Sequence, residues 1–490
     1  NATDRAANTY QGGTEAGSLT VRAAGNLNVN GALSDGFGRL NASSQTIVLG
    51  ALTSAGLTQS RFDLGQRDTA WSMRLVSGAD LAGAGALSLQ ALDTLVAANR
   101  GDLVLAPNAQ VRTGAGDIDV AVGRDLVLGA RAAIYTAGYQ VARGAEFGTQ
   151  TLLNLNGSGN RQAEYATDGG DVMIRAQRSI VATESPGIVG DWLLRQGALS
   201  PTGEFLSGSN QRNTTWYARI DQFSQGVATF GGGDIRVTAG NDIRNLGVFT
   251  VTNGRLSGAA GTTPDAANLQ VLGGGDVTVR AGGDIGSAIL MVDRGLLDAQ
   301  AAGDFGSARS SGAGSVLLLG EASAKLGAAG SIDLETIASS TAVRQATNTT
   351  TSNRSSYFFR YGEDSRVDLL SYGGSVSLDN AATPWGALAL WEGLNPLLPS
   401  SLNAVAMGGD LNLRNGMVLL PATYNDLLLA ASGNLNLATA TGGVVSIKIA
   451  DSSPALVPSV LRPAANFNNV FWVDLANPNI VSGIRAHDAD

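Results

Sequence analysis

A recurring glycine–aspartate motif limits what this chain can fold into. Residues 231–243 read "GGGDIRVTAGNDI", and residues 273–286 read "GGGDVTVRAGGDIG". In both copies the apolar residues fall two apart, as Ile235 and Val237 do, which is the period of a strand with one buried face. A second copy of the unit follows eight residues after the first. The motif therefore predicts short strands joined by glycine-rich turns and repeated along the chain.

The polar residue that opens each strand is predicted to belong to a turn. Gly tolerates the backbone angles of a tight corner, and we expect the Asp or Asn to cap the turn through its own side chain. The 63-residue spacing from Asp171 to Asp234 and the 42-residue spacing from Asp234 to Asp276 are both multiples of 21. A coil of about 21 residues is therefore predicted. The predicted structural turn residues are Asp171, Asp234, Asp242, Asp276, Asp284, Asp410 and Asn434.

A coil of this size cannot bury its apolar face alone, so coils must stack in register and pair their strands in parallel. The predicted fold is all-β, a right-handed parallel β-helix (solenoid) with loop insertions, since parallel crossovers are usually right-handed. We expect one elongated domain over residues 1–490. At ~4.8 Å per coil it would form a rod about 80–100 Å long.

Four stretches lose the repeat and are predicted to be loop insertions, near residues 138–168, 182–230, 338–372 and 381–407. They carry most of the large aromatic residues. Such residues can pack a loop onto the coils, or they can be exposed with neighbouring arginines as a binding surface for sugar or protein. The candidate binding surface consists of Trp192, Trp216, Tyr217, Arg219, Tyr357, Phe358, Phe359, Arg360, Tyr361, Trp385 and Trp391.

Composition argues against several functions. The net charge is −9, and Lys and Arg do not cluster, so nucleic acid is not an expected partner. The chain has no Cys and one His, His487, so neither a Ser–His–Asp triad nor a zinc site is expected. We expect no enzyme activity, no cofactor and no metal. Two alternatives stay open. Surface aspartates could hold structural calcium, and paired carboxylates could act on polysaccharides, with the candidates Glu184, Asp191, Glu204 and Asp221.

Three passages resemble a known family. They are "WYARIDQFSQGVATFGGGDIRV" from Trp216, "SYFFRYGEDSRVDLLSYGGSVSL" from Ser356 and "PSSLNAVAMGGDLNL" from Pro399. In this order they resemble the C-terminal region of the β-helical shaft of filamentous-haemagglutinin-like exoproteins of the two-partner secretion family. The resemblance covers about residues 165–490, and the earlier residues share only the repeat.

The resemblance implies a bacterial adhesin, secreted or displayed at the cell surface, that mediates adhesion, aggregation or biofilm formation. An outer-membrane two-partner secretion transporter would export the full-length chain, and a glycan or protein of a host or neighbouring cell would be the receptor. The amino-terminal secretion domain of the family is missing, so we expect a fragment of a larger exoprotein. The alternatives are a polysaccharide-binding or polysaccharide-degrading β-helix protein and a structural filament subunit that polymerises end to end.

Overall fold

A computed structural model describes most of the predicted repeat region. The described residues are 17–35, 37–40, 47–48, 61–62, 70–140, 151–152, 161–162, 165–184, 189–208, 211–307, 314–343, 356, 358–380, 397–423, 425–439, 442–443, 445–450, 457–463 and 486–488. They form an all-β parallel solenoid. Each coil contributes one strand to each of three faces, and equivalent strands of neighbouring coils pair in parallel.

The first face is built from the longest strands, of five or six residues each, and each of them pairs directly with the next. Its strands are Ser18–Ala23, Ser72–Ser77, Ile118–Val122, Val172–Ala176, Ile235–Ala239, Val277–Ala281, residues 297–301 of Ile289–Ala301, residues 323–328 of Ser315–Ala328, Arg366–Ser371, Ser401–Ala406 and Asp426–Ala431.

The second face consists of shorter strands that follow a tight corner after the first. They are Leu27–Val29, Leu103–Leu105, Leu126–Leu128, Ile180–Ala182, Ile243–Arg244, Ile285–Gly286, Phe305–Ser307, the start of Ile332–Ser339, Val376–Leu378, Leu411–Leu413 and Leu435–Leu437.

The third face closes each coil. Its strands are Ala32–Ser34, Gln110–Thr113, Ala133–Thr136, Gly226–Thr229, Gly247–Thr250, the first halves of Ile289–Ala301 and Ser315–Ala328, the end of Ile332–Ser339, Leu397–Leu398, Met417–Leu419 and Ile447–Ala450.

Elements outside the three faces lie in the insertions. Among the described residues, α-helices occupy Leu92–Ala97 and Val189–Trp192, and 3₁₀ turns occupy Ile220–Gln222, Ala266–Asn268 and Ser340–Ala342. The remaining strands are Phe37–Leu40, Ile47–Val48, Arg61–Phe62, Tyr139–Gln140, Thr151–Leu152, Arg161–Gln162, Ala166–Thr167, Leu193–Ala198, Arg212–Ala218, Thr252–Leu256, Leu269–Gly273 and Ala486–Asp488.

The apolar period-two pattern fills the inside of the solenoid, as the sequence predicts. On the strand Val277–Ala281 the side chains of Val277 and Val279 are buried, while Thr278 and Arg280 between them are partly exposed. The same alternation in the other coils produces one apolar column that runs along the stack. Burial of each Val or Leu of this column stabilises the fold by about 1.5–3 kcal/mol.

The 42- and 63-residue spacings each correspond to one coil, so the prediction that they contain several 21-residue coils is wrong. Ile235 pairs directly with Val277, and Val172 pairs directly with Ile235. Insertions of strands and turns account for the extra residues, because Val277 pairs with Leu297 after only 20 residues. Among the described residues the first face has eleven stacked strands. Their ten steps of ~4.8 Å give a stack about 48 Å long, shorter than predicted.

The glycine–aspartate pairs hold neighbouring coils together. Asp171 Oδ1 accepts a hydrogen bond from Asp234 N (2.7 Å), and Asp234 Oδ1 accepts one from Asp276 N (2.8 Å). Gly275 (φ +151°) comes so close to the Gly233 carbonyl of the preceding coil that a Cβ atom would clash. The prediction that each aspartate caps its own turn is therefore wrong. The carboxylate points along the stack, where the next coil brings a backbone N–H within reach.

A second row of acceptors runs beside the first, at the corner before the second face. Asp242 Oδ1 accepts from Asp284 N (2.9 Å), and Asp284 Oδ1 accepts from Asp304 N (2.8 Å). Near the end of the stack Asp410 Oδ1 accepts from Asn434 N (2.7 Å). The motif thus satisfies corner N–H groups that would otherwise lack a partner.

The insertions lie near the predicted intervals, but three of those intervals extend into strands that belong to the coils. The strand Gly226–Thr229 lies within 182–230, Arg366–Ser371 within 338–372 and Ser401–Ala406 within 381–407, and all three belong to coils. Further insertions were not predicted. One contains the loop of residues 79–90 and the helix Leu92–Ala97. Another is the antiparallel pair of Thr252–Leu256 and Leu269–Gly273 between two coils, in which Leu269 and Val271 fall two apart as in the coil strands.

Candidate functional site

Two insertions meet in a flanking sheet beside the third face. Its antiparallel strands are Leu193–Ala198, Arg212–Ala218, Thr252–Leu256 and Leu269–Gly273. Trp192, at the entry to this sheet, packs edge-on against Phe223 and Phe249, with ring centroids 5.4 and 5.5 Å away. Such contacts between aromatic rings join the flanking sheet to the stack.

A buried ion pair lies beneath the flanking sheet. Arg360 Nη1 and Asp293 Oδ2 are 3.0 Å apart, and both side chains are almost completely buried. Asp293 also accepts hydrogen bonds from Thr252 N (2.9 Å) and Ser340 Oγ (2.5 Å). Burial lowers the pKa of Arg360, and the Asp293 charge partly offsets that effect. The site is closed to solvent, so the pair acts as a structural clamp and not as a binding group.

Trp216 completes this clamp. Its indole Nε1 donates to Thr252 Oγ1 (3.0 Å), and the Arg360 guanidinium lies 4.5 Å from the centroid of its ring. Arg195, on the neighbouring strand, donates to the carbonyl oxygens of Ser356 (2.6 Å) and Val343 (2.8 Å). These contacts join the flanking sheet to the ends of the insertion between residues 343 and 356.

The predicted aromatic binding surface is mostly buried. Arg219 and Tyr361 are half-buried, and the Tyr361 hydroxyl donates to Leu397 O (2.9 Å). Burial raises the pKa of Tyr361 well above its ordinary value. Tyr357, Trp385 and Trp391 lie outside the described residues. The prediction of an exposed surface is wrong for the buried side chains, which pack the insertions onto the coils: Trp192, Trp216, Tyr217, Phe358, Phe359 and Arg360.

The carboxylates proposed for polysaccharide chemistry do not form a recognisable site. Glu184 and Asp191 are exposed, and Glu204 lies in a turn where its backbone N–H donates to Ser200 Oγ (3.1 Å). Desolvation raises the pKa of Asp191, while the charge of Arg131 lowers it. The side chain of Asp221 lies outside the description. Within the described part of the chain, no three His, Cys, Asp or Glu residues are grouped as metal ligands.

The structure presents a different surface, which the sequence analysis missed. Tyr372 and Met407 are each 56% exposed and follow equivalent first-face strands of adjacent coils. Leu370 and Val405 pair across those strands on the outward side and are partly exposed, and Leu428 of the next coil is 49% exposed. We call these five residues the apolar patch. The sequence does contain a signal for this patch: in "DLLS" and "DLLLAA" apolar residues occupy adjacent positions, so one of them must face outward.

A groove lies elsewhere on the first face. The loop of residues 79–90 folds over the strands, and Leu87 and Leu89 pack on Val76 and Ala121. Beside it, Gly85, Leu87, Ser88, Leu89, Arg175 and Gln177 line an open groove of about 600 Å³. Arg175 Nη2 donates to Leu87 O (3.4 Å), so this arginine holds the loop in place.

No protein-family model, no curated protein and no solved structure matches this chain. Among the described residues, no helix is long and apolar enough to cross a membrane.

Proposed function

We propose that the chain is part of the shaft of a secreted or surface-displayed bacterial adhesin, built as a right-handed parallel β-helix. The observation that carries this proposal is the apolar patch, which lies on a rigid stack of paired strands. Exposed contiguous apolar side chains, rimmed here by Asn403 and Ser432, mark interaction surfaces on soluble proteins. Adhesion would then use the side of the shaft, since Trp192, Trp216, Tyr217, Phe358 and Phe359 of the insertions pack inward.

In this proposal the receptor is a glycan or protein of a host or neighbouring cell. The longer parent chain is exported by an outer-membrane two-partner secretion transporter and acts in adhesion, aggregation or biofilm formation. Right-handedness is supported by the general preference of parallel crossovers. The inter-coil hydrogen bonds of Asp171, Asp234 and Asp276 support the rod's stiffness, because they fix four successive coils to one another at the same corner.

The polysaccharide-degrading alternative has less support on the first face. Outward carboxylates there are paired with arginines: Asp119 lies 3.5 Å from Arg74, and Asp298 pairs with Arg280. A catalytic pair would instead need one carboxyl group that is protonated beside one that is ionised. The filament alternative is favoured by a specific observation, the exposed apolar residues Leu435 and Leu437 of the last described coil.

The adhesion proposal is tested by replacing the exposed side chains of the apolar patch. The double variant Tyr372→Ser/Met407→Ser is compared with the unmodified chain for binding to a glycan array and to immobilised extracellular proteins. Met173→Ser is the matched control, because Met173 is 43% exposed on the same face but several coils away. We expect at least a tenfold loss of binding in the double variant alone. Equal binding by all three proteins, or no binding by any, would contradict the proposal.

A further inference from the structure

Two arginines of adjacent coils lie close together at the groove on the first face. Val172–Ala176 and Ile235–Ala239 are neighbouring strands, and their pairing places Arg175 opposite Thr238. Arg236 lies two residues before Thr238 on the same strand, so both point outward on this face. One step of ~4.8 Å between strands and a two-residue step along a strand put the Cα atoms of Arg175 and Arg236 about 8 Å apart.

The charges of these two arginines are not neutralised by an ion pair. Both side chains are exposed, and within the described part of the chain no carboxylate lies within ion-pair distance of Arg175 or Arg236. The acidic side chains around them have other partners, which are Arg74 for Asp119 (3.5 Å), Arg280 for Asp298, and the backbone N–H of Asp276 for Asp234 (2.8 Å). In a chain of net charge −9, the groove therefore carries a local excess of positive charge.

Arg175 presents hydrogen-bond donors to the groove that it lines. Its Nη2 donates to Leu87 O (3.4 Å), at the edge of the loop of residues 79–90. Among the described residues, no protein acceptor is bonded to its Nε or Nη1. A guanidinium with these two donors available can bind a carboxylate through two parallel hydrogen bonds.

The wall of the groove beside Arg175 is apolar. Leu87 and Leu89 are half-buried, because one side of each packs on Val76 and Ala121 and another side lines the groove. The groove has a volume of about 600 Å³, which is within the range of small-molecule sites. It therefore has room for the apolar part of a small molecule next to a pair of cations.

We propose that this groove binds a small amphiphilic carboxylate. The carboxylate accepts hydrogen bonds from Nε and Nη1 of Arg175, and Arg236 supplies a second positive charge from the next coil. The apolar chain of the ligand covers the exposed sides of Leu87 and Leu89. Each methylene group that is fully removed from water strengthens binding by about fourfold. This site is separate from the apolar patch, so it adds a binding activity to the one proposed for adhesion.

Isothermal titration calorimetry with three probes tests the two parts of the site. Octanoate has both the carboxylate and the apolar chain, octanol has the chain without the charge, and acetate has the charge without the chain. Because the site holds both parts of the ligand, we expect octanoate to bind at least tenfold more tightly than either of the other probes. Its affinity should also fall as the salt concentration rises, since the contact with the arginines is exposed.

Charge-removing variants identify the arginines that carry the binding. Arg175→Gln and Arg236→Gln should each weaken octanoate binding at least fivefold and leave octanol binding unchanged. Arg236 makes no contact with the loop of residues 79–90, so its variant removes charge without loosening the wall of the groove. Arg74→Gln is the matched control, because Arg74 lies on the same face and is already paired with Asp119. We expect this control to bind octanoate as the unmodified chain does.

Three results would overturn the proposal: no saturable binding of octanoate, equal affinity for octanoate and octanol, or a loss in Arg74→Gln as large as in Arg236→Gln. The double variant Tyr372→Ser/Met407→Ser should bind octanoate normally, since it changes only the apolar patch. A loss of octanoate binding in that variant would place the site on the patch and also contradict the proposal. Adhesion is measured with other ligands, so its failure and the failure of carboxylate binding are distinguishable.

Discussion

At the scale of single residues, the corner aspartates stabilise the contact between coils. Each carboxylate oxygen accepts a hydrogen bond from a backbone N–H of the next coil and does not cap the turn of its own coil. Asp234→Ala should leave the N–H of Asp276 without its acceptor (2.8 Å) and destabilise that corner by about 1 kcal/mol. Asp234→Asn should be nearly neutral, since Asn26 fills the equivalent position at another corner. Hydrogen exchange of the Asp276 amide measures the difference. Equal loss of protection in both variants would show that the negative charge, and not the acceptor oxygen, is what matters.

The ion pair on the first face gives a pH-dependent prediction. A hydrogen bond from Arg280 lowers the pKa of Asp298, against the opposing effect of desolvation. Because the folded-state pKa is below the unfolded one, the pair's stabilisation is complete above the unfolded pKa of ~3.9 and is lost as the pH falls through the folded value. In Arg280→Gln the carboxylate pKa, followed by NMR titration, should rise toward that unfolded value. An unchanged titration would contradict the assigned cause.

Residue-level prediction from the sequence succeeded where the chemistry is local and failed where partners are distant. The alternation of Val277 and Val279 is enough to predict a strand with one buried face. The positions of Asp234 and Asp276 at corners were also predicted. Their hydrogen-bond partners were not, because the partner belongs to the next coil, and its distance along the chain depends on the length of the insertion between them.

At the scale of elements, the flanking sheet depends on one buried ion pair. Arg360→Met should leave the Asp293 carboxylate buried without its cation and destabilise the sheet by about 3–5 kcal/mol. The double variant Arg360→Met/Asp293→Asn should recover most of that loss. Limited proteolysis of the loop between Leu193–Ala198 and Arg212–Ala218 measures the release of the sheet.

The matched control for this element is another Arg→Met change. Arg366 forms an exposed pair with Asp368, with 3.8 Å between Nε and Oδ2, so Arg366→Met should change stability by no more than about 1 kcal/mol. If both single variants are equally sensitive to protease, the clamp does not hold the sheet. The sequence could not predict this clamp, because Trp216, Asp293 and Arg360 are far apart in the chain and come from different elements.

At the scale of the whole molecule, stability should vary along the stack. A central strand such as Val277–Ala281 is paired on both sides, whereas Asp426–Ala431 is paired on one side within the described residues. In a solenoid, where coils contact only their neighbours, the ends open first. Hydrogen exchange measured by mass spectrometry should therefore be faster in the last coil than in the centre. Uniform exchange throughout would indicate a single cooperative unit.

The solenoid fold could be predicted because the repeat recurs along the chain, but the length of the rod could not be predicted. In Leu269–Gly273 the apolar residues Leu269 and Val271 fall two apart as in the coil strands, so the sequence does not distinguish this insertion from the stack that it lies beside. The apolar patch was missed for a related reason. An outward-facing Leu370 reads the same in the sequence as an inward-facing Leu369 until the pairing of the strands is known.

The 20-residue coil from Val277 to Leu297 shows how such a molecule can change its length. This segment begins and ends at equivalent positions of the first face, one coil apart, and its strands pair in parallel with the coil before it and the coil after it. Duplicating it in the gene would lengthen the shaft by one step of the stack, whereas excising it would also remove Asp293 and with it the ion pair to Arg360. Recombination between similar stretches of DNA could therefore lengthen this shaft more easily than it could shorten it.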